Sequence, residues 1–175
     1  MRYLRGLRRL LDTMYFISGV IAALSLIAIL LLIVVQMLAR WTGEVFPGAP
    51  DYAGYAMASA SFFALAYALN HGSHIRVSLM LSALGSRRKY GEIWCTTIAA
   101  SVATMFARYA IKANYWSGKL NDISQGQDAT AIWIPQLAMS IGTVLLAIAL
   151  WDHVFRLIFT KHPGVFEPDI TERTE

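Results

Sequence analysis

The chain has 175 residues, 57% of them hydrophobic and only 15% charged, which leaves little for a separate soluble domain. Its net charge of +4 is parcelled among short loops between apolar stretches, a pattern of membrane topology rather than of nucleic-acid binding. The single cysteine, Cys95, excludes an internal disulfide and a cysteine cluster.

The first residues carry an apolar stripe, Leu4, Leu7, Leu11 and Met14, opposed by Arg2, Arg5, Arg9 and Asp12. Basic amphipathic helices of this kind lie in the headgroup plane. The first long apolar stretch follows over about 14–38, rich in Leu, Ile and Val. It is too long for the hydrophobic region of a cleavable signal and lacks a small-residue exit, so it is expected to stay as a signal anchor. Arg40 and Trp41 close it.

A second stretch, about 52–70, begins after Asp51 and is made of small residues. Ala56, Ala60, Ala64 and Ala68 recur every fourth position and predict a face that a neighbouring backbone can approach closely. Beyond it, Val77, Met80, Leu81 and Leu84 form a second amphipathic segment ahead of Arg87, Arg88 and Lys89.

The third stretch, about 92–111, repeats the small-residue spacing at Ala99, Ala103 and Ala107, and the fourth, about 132–151, at Ala138 and Gly142. The second and third helices are therefore expected against protein, and the first against lipid. Trp94 and Trp116 stand roughly 33 Å apart along a helix, close to the hydrocarbon thickness. Trp133 and Trp151 bracket the fourth stretch likewise, as indole rings at headgroup level do. Pro135 falls in a first helical turn, where its missing N–H costs least.

About 17–25 apolar residues cross a bilayer as a helix. The sequence thus predicts an all-α membrane protein: four transmembrane helices in one domain over residues 1–160, short amphipathic interfacial helices, and a tail over 161–175. Of the fifteen Lys and Arg residues, eleven fall on one side of this arrangement. Only Arg40, Arg108, Lys112 and Lys119 fall on the other. That imbalance predicts cytoplasmic N- and C-termini. Arg108, near the outer limit of the third stretch, reads as a snorkelling side chain.

Transport chemistry needs ionisable or unwound elements at mid-membrane, and none of the four stretches has an acid at its centre or a Gly-Pro break. His71, His74, His153 and His162 lie at or beyond the ends of the stretches, away from where axial haem ligands would face one another. No nucleophile–base pair or phosphate-cradling loop is evident. The expectation is a protein without catalytic, metal or cofactor sites. An autonomous oligomeric channel or transporter, and a membrane anchor for a redox enzyme, stay open as alternatives.

Several segments in order carry a family resemblance. Arg40-Trp41 ends the first stretch, and Pro50-Asp51-Tyr52 precedes the second. His74-Ile75-Arg76-Val77 follows it, and Ala131-Ile132-Trp133-Ile134-Pro135 leads into the fourth, followed by Ser140-Ile141-Gly142. Over roughly residues 10–159 the chain resembles the small, DctQ-type membrane subunit of tripartite ATP-independent periplasmic (TRAP) transporters. It departs from that pattern in two places: Asp51 stands alone where a pair of glutamates is common, and Ser78 stands where an aspartate is usual.

The resemblance implies a fixed brace in a bacterial inner membrane. Its partners would be a large multi-span subunit, which holds the solute and Na⁺ and moves as an elevator, and a periplasmic protein that delivers a small organic acid. No cofactor is expected in this chain. Candidate partner and lipid contacts are the alanine face of Ala56, Ala60, Ala64 and Ala68, and Arg40 with Asp51 at the outer edge. Gln125 and Asp128 in the longest outer loop are candidates for docking the periplasmic protein. His74 and Arg76 lie at the inner edge, where Arg76 is suited to a lipid phosphate. Trp133 is expected mainly to set how the fourth helix begins.

Overall fold

The computed structural model describes residues 2–44, 46–70 and 88–159. His71, His74, Arg76, the second amphipathic segment and the tail lie outside the described residues. The chain is all-α, with helices α1 (Arg2–Thr42), α2 (Ala49–Asn70), α3 (Arg88–Leu120) and α4 (Trp133–Phe159). The main packing series runs α1–α2–α4–α3, so α2 and α4 have helices on two sides while α1 and α3 are its outer members.

Each helix end near the 121–132 loop has a local cause. Gly43, at φ +80°, lets the Glu44 N–H reach back to the Ala39 carbonyl at 2.9 Å, a left-handed cap closing α1. Asn121, at φ 50°, does the same for α3, with the Asp122 N–H on the Ser117 carbonyl at 3.1 Å. Asn tolerates that conformation better than most side chains because it is short and polar. Pro135 sits in the first turn of α4, as its position predicts.

The helices are longer than the apolar stretches. The N-terminal amphipathic segment is continuous with α1 and is no separate interfacial helix. Leu11 and Met14 pack against the hydrophobic core, so this end of its stripe is held by protein. Arg8–Thr42, Ala49–Asn70 and Trp133–Ile158 are each long and apolar enough to cross a membrane. At 33 residues α3 has the length but not the apolar content. Thr96, Thr97, Ser101, Thr104 and Arg108 dilute the segment expected to be its span.

The core is built from small residues. Ala60, Phe63, Ala66 and Leu69 of α2, Ala100 and Ala103 of α3, and Leu145, Ala147 and Leu150 of α4 are buried. Gly142 makes the closest approach: a Cβ there would stand 2.7 Å from the Phe62 Cβ and 2.9 Å from its backbone carbon. Gly19 of α1 likewise leaves room for the Tyr67 ring of α2.

Two buried hydroxyls, those of Ser18 and Thr143, are satisfied within their own helices. Ser18 donates to the Tyr15 carbonyl at 2.7 Å, and Thr143 to those of Met139 and Ser140 at 2.7 and 3.1 Å. Where water is absent, a hydroxyl that closes on its own backbone avoids the cost of an orphaned donor. Ser25 also closes on its own helix, at the Ile21 carbonyl 2.9 Å away, and its oxygen lies 3.2 Å from the Ser59 hydroxyl across α1 and α2.

Candidate partner and lipid interface

One end of the bundle gathers the termini of all four helices, and the loop over 121–132 folds across it as a small hairpin. Its strands are joined by the Ile123–Ala131 bridge and by Ser124 N–H to the Thr130 carbonyl at 2.8 Å. Asp51, in the first turn of α2, accepts the Gln127 N–H at 3.0 Å. An acid there also offsets the positive end of the helix dipole. Gly126 packs so closely on that carboxylate that a side chain would collide with it. One turn further along α2, the Tyr55 hydroxyl is 2.7 Å from that of Ser124, and Tyr52 meets Tyr55 edge to face at 6.3 Å.

Asp128 completes this end. Gly48, at φ +79°, lacks the Cβ that would stand 3.0 Å from that of Asp128. Both carboxylate oxygens are shielded from solvent, and neither receives a well-aligned hydrogen bond. The Thr130 hydroxyl, with smaller help from Tyr55 and Ser124, holds the carboxyl below the usual carboxylate range against the opposing effect of burial. The end thus presents two acids fixed by the hairpin, with Gln125 and Gln127 exposed beside them.

The structure therefore places Asp51 and Asp128 in one cluster, and Gln125 on its exposed rim. Arg40 is exposed at the end of α1 and forms no ion pair with Asp51; among the described residues the ion pairs are Arg8–Asp12 and Arg156–Asp152. Trp133 is partly exposed with its Cβ beside Gly118, where it sets the spacing of α3 and α4. Of the alanine face, only Ala60 is buried; Ala56, Ala64 and Ala68 are half-buried. The third helix is less enclosed than its alanines suggest. Ala100, Ala103, Ala107 and Ala110 are buried, whereas Ala99, Ile98, Val102, Met105 and Tyr109 are exposed.

At the opposite end, Asp152 and Arg156 of α4 pair beside Tyr15, Leu69, Asn70 and His153 around a cavity of about 20 Å³. Tyr15 is buried there. Sequence reasoning passed over this cluster, although the four-residue spacing of Asp152 and Arg156 is that of a helical ion pair. It also passed over Ser124, Tyr55 and Thr130, which carry no motif and meet only in the folded chain.

The sequence model for the DctQ component of tripartite ATP-independent periplasmic transporters matches residues 29–160, from within α1 to the end of α4. The chain belongs to the DctQ family. No curated protein matches it. As a DctQ component the chain is a multi-pass membrane protein and a non-catalytic transporter subunit. Membership also implies that it works with the other TRAP components.

Proposed function

We propose that this DctQ component is the fixed scaffold of a Na⁺-coupled, binding-protein-dependent TRAP system for a small organic acid. It braces a large elevator-type subunit in the bacterial inner membrane, with both of its own termini cytoplasmic. Solute and Na⁺ belong to the large subunit. The hairpin end, with Asp51, Asp128 and Gln125, faces the periplasm and helps dock the binding protein. On the cytoplasmic side His74 and Arg76 contact partner or lipid.

The observation that carries this reading is where apolar surface remains. The inner members α2 and α4 bury Ala60, Phe63, Ala66, Leu145 and Leu150, while α1 and α3 carry broad exposed apolar faces. On α1, Leu24, Leu26, Leu30 and Leu31 are each more than half exposed; on α3, Val102, Met105 and Tyr109 are too. Exposed faces of that extent require lipid or another membrane protein against them. The alanine face supports the same reading, because small residues fix the spacing of a rigid body.

The test is affinity purification of the tagged chain from membranes that also express the large component of its own system. A stable complex containing one large subunit per chain is expected. Recovery of homo-oligomers alone would overturn the scaffold and favour an autonomous channel. Accessibility labelling should find Gln125 from the periplasmic side and Arg8 from the cytoplasmic side.

A further inference from the structure

On the outer side of α3, Ser101, Thr104, Met105, Arg108, Tyr109 and Lys112 line an open groove of about 720 Å³, closed on one flank by Trp151 of α4. Trp151 donates its indole N–H to the Thr104 hydroxyl at 3.0 Å, which fixes that flank. The groove contains two cations and no lining carboxylate. Lys119, about two turns beyond Lys112, differs: its ammonium lies 5.2 Å above the Trp116 ring.

Depth decides what the groove can receive. Gly118 lies beside Trp133 at the hairpin end, and Arg108 is roughly 15 Å back along the helix from it. That is about half the hydrocarbon thickness. Side chains on a helix lean toward its N-terminus, so Arg108 and Lys112 point away from the hairpin-side membrane edge rather than toward it. Snorkelling to that edge is therefore disfavoured, and a lipid phosphate at headgroup level is better placed for Lys112 than for both residues. Ionisable side chains at such depth face protein or water and are paired.

We propose that this groove receives a transmembrane helix of the large TRAP partner whose Asp or Glu side chain pairs with Arg108 and Lys112. The proposal rests on the scaffold reading and adds which face is used and what chemistry the partner presents there. It also accounts for the low apolar content of α3: the helix is completed as a membrane span by the partner.

The test uses the intact complex in native membranes, with p-benzoylphenylalanine replacing Met105 or, separately, Tyr109. Irradiation is expected to give a covalent adduct with the large subunit from both positions. Arg108→Leu is expected to reduce recovery of the large subunit at least about tenfold, since it strands a buried carboxylate, while Arg108→Lys retains it. Adducts to lipid alone, with the large subunit still copurifying, would overturn the docking proposal and leave the scaffold intact. Undiminished recovery with Arg108→Leu would do the same. Failure of the unsubstituted chain to recover any large subunit overturns both.

Discussion

Where α2 meets α4, the Gly142 backbone lies so near Phe62 that no side chain fits between them. Where α3 meets α4, buried alanines share the contact with a reaching hydrogen bond from Trp151 to Thr104. The first contact is close and dry, with the two helices held at one separation by the absence of a side chain. The second leaves hydroxyls and two cations on an open flank. In a bilayer there is little hydrophobic drive between helices, so close packing and polar ties must do the holding. On these terms the α2–α4 contact is held by closeness, and the α3–α4 contact by buried alanines and a polar tie.

The largest expected effect lies at the close seam. Gly142→Leu forces α2 and α4 apart, and overpacking of this kind costs about 1–3 kcal/mol or more. Detergent-solubilised protein should melt at a clearly lower temperature, and a shift no larger than that of a surface substitution would show that the seam is loose. At the hairpin end, Asp51→Ala removes the acceptor of the Gln127 N–H. The expected loss is about 1 kcal/mol, below the usual range for a charged acceptor because this bond is open to solvent. Limited proteolysis within 121–132 should become faster while the melting temperature changes little.

At the α3–α4 contact, Thr104→Val deletes the acceptor of the Trp151 indole, with an expected cost of about 0.6 kcal/mol. Fluorescence reporting on Trp151 should change more than thermal stability does. The smallest effect is that of pH on the hairpin. The folded carboxyl of Asp128 titrates below its ordinary 3.8, so its contribution is complete above that value and is lost as pH falls through the folded one. Hydrogen exchange at 121–132 should speed up at the acid end of the range, and Asp128→Asn should flatten the dependence.

The fold was legible because bilayer crossing imposes length and composition together, and the Ala-rich second stretch reads as α2, a central helix. What composition does not report is where a helix stops. Hydropathy falls after Ile111, yet α3 continues to Leu120, because no proline interrupts it and Gly118 is tolerated in its last turn. This continuation leaves Arg108 twelve residues before the end of α3. The alanine face was read only in part: a strict four-residue repeat drifts by about 40° per step around the helix, while α2 is packed on two sides. The cluster of Asp51, Ser124, Gln127 and Asp128 joins residues from distant parts of the chain, and nothing local announces it.

A passive brace has no conduction of its own. Reconstituted alone into liposomes, this chain should admit no radiolabelled sodium above the leak of empty vesicles. Flux should appear only when the large subunit, the binding protein and an organic acid that it carries are present. Sodium entry through vesicles containing this chain alone would contradict the scaffold outright.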